Sequence, residues 1–408
     1  MVMESKQLSR ITIIVLLITV IFFPFENLVL SHYNIELSAV RWALALLSES
    51  LIFFQIFIYQ RKGYKGSRFV LFCLEIYTLF LIASTLVGIM GDALRLKIFI
   101  SNSLLVGLLP LLLCVRFTIN DVKLVVKTCG VLMPFIIVVL IVCPFILTEK
   151  KGVSMEYYSY AYGSVLGLLL LLSPYQSRSK KVVLLNIVLV FMLVTVMIAG
   201  RRAATLFLAF FFLGEGYMNR TSRKGMLNSN AKKNGRIVMF FIIIFVFVLV
   251  VYSQFFEFIF DRFKTGFDSR EGVVDDFIYD FNRTNDWIIG RGFVGSVRAD
   301  FVATNSQGNR YGIESAWLTT ILHGGVVLLL IRLSIMVEAI IISFKANNRF
   351  CKALALFVAY EIIDGIGFGV EFINFKTFLT YFAISCCHST ELLSLNDEEI
   401  LEQIYGNA

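Results

Sequence analysis

Four arginines, a glutamate and a histidine carry the chemical potential of this sequence. Arg201 and Arg202 lie side by side in "AGRRAATL". Each guanidinium can grip an oxyanion through paired N–H bonds, so two neighbours suit a diphosphate better than lysines would. The apolar run that begins just after them would add the favourable potential of a helix N-terminus. The bland alternative is a pair that anchors a tight hairpin to lipid headgroups. Arg270 sits in "DSREG" and Arg291 in "GRGFVG". Beside Asp268 and Glu271, a loop arginine more often joins a surface ion pair worth little. The glycines around Arg291 resemble a phosphate loop, but no strand precedes them and a nucleotide fold is not supported. "YGIESAWLTTILHGGVV" puts Glu314 and Ser315 at the start of an apolar run, with His323 a few helical turns deeper. Facing an arginine cluster, Glu314 or His323 could accept a proton from a hydroxyl. Their plainer roles are a carboxylate complementing a helix start and a histidine packed where Gly324 and Gly325 let helices approach.

A second set of ionisable residues falls inside apolar runs, where charge is costly and usually faces the interior of a helix bundle. These are Glu49, Glu75, Arg332, Glu338, Glu361 and Asp364. Arg332 could pair with Glu49 or Glu75, and Glu361 and Asp364 share a helix face three residues apart. A proton-coupled transporter would use such residues. No zinc pattern and no dedicated acidic cage for a metal occurs. The seven cysteines, including Cys386 and Cys387, lie in or beside apolar runs and suggest buried thiols rather than a disulfide framework.

The elements that must position these groups follow from composition. Of 408 residues, 58% are hydrophobic and 16% charged, with 40 phenylalanines and a mean hydropathy of +0.80. Soluble domains sit near 45–50% apolar and about 25% charged. The balance excludes a cytosolic enzyme, a nucleic-acid binder and a disordered chain, and predicts an all-α polytopic membrane protein. About twelve runs are long enough to span, at roughly 17–25 residues each: 9–25, 39–59, 69–90, 97–115, 125–147, 158–173, 182–199, 203–218, 237–256, 316–343, 353–370 and 372–388. With the N-terminus inside, the inner loops collect 21 Lys and Arg and the short outer loops 7. That asymmetry orients both termini to the cytoplasm. The net charge of +8 is therefore a topology signal.

The organisation predicted is a first helical block over 1–256, a long extracytoplasmic loop over 257–315, a second helical block over 316–388, and a cytoplasmic tail over 389–408. The loop is too long for a connector and too aromatic for a disordered one. Val273, Phe277, Ile278 and Phe281 are spaced for one face of a short helix, which Asp268 or Ser269 would cap. "GRGFVG" reads as a Gly-punctuated turn back towards the membrane. In the tail, Asn396 and Glu399 have capping-box spacing, although a solvated tail is the preferred expectation.

Taken together, these features resemble the bacterial O-antigen polymerase and O-antigen ligase family of membrane glycosyltransferases. "AGRRAATL" is similar to the family's Gly-Ser-Arg-Gly/Ala-Ala turn, with Arg202 at the family arginine. "DSREG…WIIGRGFVGS" and "IESAWLTTILHGGVV" resemble the loop arginine, the Gly-rich turn and the helix that follows. The resemblance covers architecture throughout and residue detail over about 200–330. It implies a GT-C-like architecture and a polymerase working on undecaprenyl-diphosphate-linked glycans at the outer face of the bacterial cytoplasmic membrane. Arg202 and Arg270 would stabilise the departing diphosphate, Arg201, Arg291 and His323 would assist in binding diphosphate or glycan, and Glu314 would orient or deprotonate the acceptor hydroxyl. The reaction would invert the anomeric centre and need neither metal nor cofactor. Expected partners are lipid-linked glycans, membrane lipids, a chain-length regulator and a flippase, with no nucleic acid. Family ligases carry a His-Asn pair where this chain has Glu314-Ser315, which favours polymerase over ligase. A lipid-linked oligosaccharide flippase or exporter is the alternative outside the enzyme class.

Overall fold

Pro110 illustrates how sequence shapes the bundle: without an N–H it ends one helical register and starts a tighter one. In the computed structural model, described over residues 2–25, 38–60, 67–89, 104–115, 117–147, 155–175, 185, 210–218, 271–284, 286–298, 308–310, 313, 315–367 and 374–405, that break separates α4 (Leu104–Leu108) from a 3-10 helix over Leu109–Cys114. The single span expected over 97–115 is thus two short pieces within its described part. Before it come α1 (Val2–Phe25), α2 (Ser38–Gln60) and α3 (Arg68–Ile89); after it come α5 (Ile119–Leu147) and α6 (Met155–Leu171). The loop supplies α7 (Glu271–Thr284) and a minimal antiparallel pair, β1 (Val297–Arg298) with β2 (Asn309–Arg310), in the register Val297 to Arg310. The chain continues through α8 (Ala316–Lys345), α9 (Arg349–Gly367), α10 (Phe375–Cys387), α11 (Thr390–Ser394) and α12 (Asp397–Ile400), ending in a π turn over Leu401–Tyr405.

The class is all-α. The count of twelve spans is not supported: among the described residues one helix, Ala316–Lys345, is long and apolar enough to cross a membrane, alongside shorter apolar helices at Gln7–Phe22, Leu104–Cys114 and Phe375–Cys387. The expected span 237–256, and most of 182–199 and 203–218, lie outside the described residues.

Some helices bury polar side chains beside their apolar core while turning further apolar ones outward. On α1, Ile11, Ile14 and Ile18 are exposed, while Ser9, Thr12 and Thr19 are buried. The Thr19 and Ser48 hydroxyls share a hydrogen bond of 2.9 Å, Gln55 Nε2 donates to Thr12 Oγ1 at 3.1 Å, and Ser9 reaches Asp121 Oδ2 at 3.4 Å. Phe69, Phe72, Leu79, Ile82 and Leu86 are likewise exposed on α3.

The main core lies where α8, α9 and α10 pack on one another, with α6 and the 3-10 helix closing against α10. A second core joins the loop to the start of α8, through Val273, Phe277, Phe281, Val297, Ile313, Ile321 and Leu322. Phe277 and Phe281 stack at 4.1 Å, with Trp287 edge-on to both. Burying such a ring contributes about 1.5–3 kcal/mol. Ile278, expected on this face, is 40% exposed; the buried stripe runs through Asp276 and Asp280 instead, and Asp280 accepts from Arg291 Nη1 and Arg298 N inside the loop. The expected caps, Asp268 and Ser269, lie outside the described residues.

The tail is packed, contrary to the solvated tail preferred from sequence. Asn396 and Glu399 form the capping box, which frees the next turn to bury Ile400 and Ile404 completely. Asp397 accepts from the Tyr175 hydroxyl and from the Arg349 backbone N–H at 2.7 Å, and Tyr175 stacks on Tyr405. Burial, then the Asp397 carboxylate, pushes the Tyr175 phenol above its ordinary pKa.

Candidate functional site

Helix α8 is two helices. Gly324 (φ −143°, ψ 17°) and Gly325 (φ 66°, ψ −171°) break it into a short arm over 316–323 and a long arm over 326–345. The Arg332 Nη1 donates to Thr320 Oγ1 at 2.9 Å across twelve residues. In a straight helix twelve residues span roughly 18 Å, beyond an arginine's reach, so the arms fold towards each other.

A break frees backbone groups that an apolar setting cannot leave unmet. The loop meets them. Arg291 N donates to Leu322 O at 2.7 Å, Gly292 N to His323 O at 2.9 Å, and Val326 N to Trp287 O at 2.8 Å. The approach is so close that a Cβ on Gly325 would sit 2.0 Å from Ile288 O. The glycine pair therefore admits a loop, not the neighbouring helix expected from sequence. Gly290 and Gly292 take positive φ to make the turn, and Phe293 descends beside Phe80 at 6.0 Å and His323 at 5.2 Å.

Arg291 fastens this junction. Its Nε donates to Asp286 at 2.6 Å, Nη1 to Asp280 at 2.5 Å and to Ser296 O at 2.7 Å, and Nη2 to Thr284 Oγ1 at 2.7 Å. Its guanidinium also lies over Phe281 at 4.8 Å. Burial works against the charge, but the hydrogen bonds and charges of Asp280 and Asp286 outweigh it and raise the pKa. Asp280 takes the Arg298 backbone N–H as well, at 2.9 Å. Of the residues nominated from sequence, Arg291 and His323 are thus brought together, as parts of the loop-to-helix joint; His323 is 8% exposed. Arg201, Arg202, Arg270 and Glu314 lie outside the described residues.

Beside the joint, α8, α9, α10 and the 3-10 helix enclose a cavity of about 80 Å³. Ser315 caps the short arm and donates to Gly365 O at 3.1 Å, while Trp317 Nε1 donates to Ile362 O at 3.0 Å. Asn374 caps α10 through Thr377 N at 2.9 Å, which fixes Lys376 in its first turn. The Lys376 ammonium pairs with Asp364 and lies 3.5 Å from Glu361 Oε2. Trp317, Arg332, Glu361, Lys376 and Tyr381 all line the cavity. Sequence reading found the shared face of Glu361 and Asp364 but missed Lys376. Two carboxylates on one buried face call for a cation, and the only Lys or Arg of the run 372–388 is Lys376. Among the described residues no group of three or more His, Cys, Asp or Glu could hold a metal.

No protein-family model matches the chain, and neither a curated protein nor a solved structure matches it.

Proposed function

We propose that the protein is a multi-pass membrane glycosyltransferase, a polymerase that joins undecaprenyl-diphosphate-linked repeat units at the extracytoplasmic face. The observation that carries the reading is where three of the buried charges converge. Asp364 lies in the last turn of α9, Lys376 in the first turn of α10, and Arg332 about two turns into the long arm of α8. All three cluster at the end of the bundle where the loop docks. An enzyme acting on a glycan outside the bilayer needs its polar groups at that mouth, whereas a transporter needs them through the centre. The aliphatic outer faces of α1 and α3 support a lipid setting, and a loop on the outer side is the orientation the expected Lys and Arg asymmetry favours.

In this reading Arg202 and Arg270 stabilise the diphosphate as it leaves and Glu314 orients the acceptor hydroxyl, while Arg291 fixes the docked part of the loop. An exporter of lipid-linked glycans is the second reading, favoured by the burial of Lys376 and Asp364 within the helices. The deciding experiment incubates purified protein with a synthetic undecaprenyl-diphosphate repeat unit and resolves the products by length. A ladder that disappears in Arg202→Ala or Arg270→Ala supports the polymerase. Unchanged substrate across several repeat-unit structures, with transport of the same lipids in vesicles, favours the exporter.

A further inference from the structure

The loop turn that docks into the break of α8 carries two aliphatic side chains on its outside. Ile288 is 66% exposed and Ile289 71%, although the backbone around them is pinned. Val326 N donates to Trp287 O at 2.8 Å, Gly290 N to Asp286 O at 2.8 Å and Arg291 N to Leu322 O at 2.7 Å. A turn held on both sides cannot roll these side chains inward. On the long arm of α8, Val326, Val327, Leu330, Val337, Ile341 and Phe344 are exposed as well. From Val326 onward their spacing of four, seven, four and three residues follows one face of a helix. Ile288 and Ile289 carry that face past the glycine pair, because Ile288 O and Ile289 N lie directly against Gly325.

The length of the long arm sets the level of this patch. Residues 326–345 rise on the order of 30 Å, about the thickness of a bilayer's hydrocarbon core. The exposed Lys345 ends the arm on one side, and the glycine break, where the turn sits, ends it on the other. That level is the membrane interface, where Trp rings and amphipathic segments settle. Trp287 stands there half-buried, its ring against Phe277 and Phe281 and its Nε1 donating to Asn282 Oδ1 at 2.9 Å.

We propose that the turn Trp287–Ile288–Ile289 is immersed in the outer leaflet, with the two isoleucines among phospholipid acyl chains beside the stripe of α8. The loop is then anchored to lipid at the point where it docks on protein. Lipid is the occupant because the patch continues the outer face of a helix long and apolar enough to cross a membrane. The assignment rests on the membrane reading of the chain and is independent of the polymerase reading.

The test reads depth at single labelled positions. Full-length Ile289→Cys and Val337→Cys proteins each receive one bimane label, its position verified by mass spectrometry, and are reconstituted into phosphatidylcholine vesicles. Both side chains are exposed, so neither substitution disturbs the core. The quenchers are lipids brominated near the glycerol end of the chain, lipids brominated near the chain terminus, and aqueous iodide. At residue 289 the shallow bromines should quench several-fold more than iodide and more than the deep bromines. At residue 337, about 18 Å along the helix from the break, the deep bromines should quench most. Iodide quenching at 289 without bromine quenching, beside bromine quenching at 337, would overturn the anchor and leave α8 as a span. Shielding of 289 from both quenchers would mean that a second copy or another protein surface covers the turn, and would overturn it as well. Bromine quenching at 289 but not at 337 would keep the lipid contact and remove the span. Its absence at both positions would remove both.

Discussion

Arg291 and Lys376 are each held by two carboxylates, yet they differ in what removing them should do. Arg291 bridges Asp280 and Asp286 in a partly open setting, with side-chain exposures of 19%, 10% and 30%. Replacing it by alanine strands Asp280 inside the loop core, at a loss of about 2–3 kcal/mol, below the full penalty of a wholly buried pair. The expected result is a lower thermal midpoint in detergent and faster proteolysis within 271–298. Arg291→Lys should recover only part of the loss, since an ammonium cannot reproduce the bidentate fork. A variant that keeps full stability but loses polymer would reassign Arg291 to substrate. Sequence singled out Arg291 for its glycine neighbours and missed its real partners. Asp280 and Asp286 lie eleven and five residues away, and nothing in a linear pattern shows that a helix and a turn will fold over one guanidinium. Lys376 was more legible in principle, because the paired face of Glu361 and Asp364 implied a counter-ion.

At the scale of elements, the broken α8 joins the loop to the bundle, and its glycines are not interchangeable with others. Gly325 has φ +66° and ψ −171°, a conformation open almost only to glycine, and Ile288 O occupies the space a Cβ would need. Gly325→Ala should destabilise by on the order of 3 kcal/mol or undock the loop. Undocking would show as proteolytic release of the loop with the helices still inserted. Gly130, inside α5 with nothing within 4 Å of its Cβ position, provides the contrast. Gly130→Ala should be neutral or stabilise by up to about 1 kcal/mol. Equal effects at the two positions would refute the loop-docking account. The loop helix was readable from the spacing of Val273, Phe277 and Phe281 because a 3.6-residue period reports burial directly. The helix break was not readable. "HGGVV" is equally compatible with two close-packed helices, and only the backbone bonds from Trp287, Arg291 and Gly292 show that a loop fills the gap. The tail capping box was readable as a local rule, but the packing of Ile400 and Ile404 depends on α5 and Tyr175, far away in sequence.

Across the whole molecule, the two ends of the bundle are built differently, and this bears on where movement can occur. At the loop end lie the charged cavity and the glycine break. At the other end, Asn348 Nδ2 donates to Leu392 O and Leu395 O at 2.8 Å, Tyr175 joins Asp397 to the Phe350 N–H, and the tail closes over fully buried Cys351 and nearly buried Cys129. Asn348 also accepts from Cys351 N at 2.8 Å, so the start of α9 is tied to the tail from both sides. Conformational change should therefore be confined to the loop end, with the tail end as a fixed base. Truncation before Ser389 tests this directly. Removing Leu392 uncovers Cys351, and removing Ile404 and Tyr405 uncovers α5 near Cys129, so both thiols should become reactive to a maleimide that leaves the intact protein unlabelled at those positions. If the ends are independent, a thiol placed at the cavity by Thr377→Cys should label at a rate within about twofold of its full-length value, as expected for sites without shared partners. A large change at residue 377 would mean that the tail sets the cavity's shape through α9 and α10, and the base would then be part of the working site.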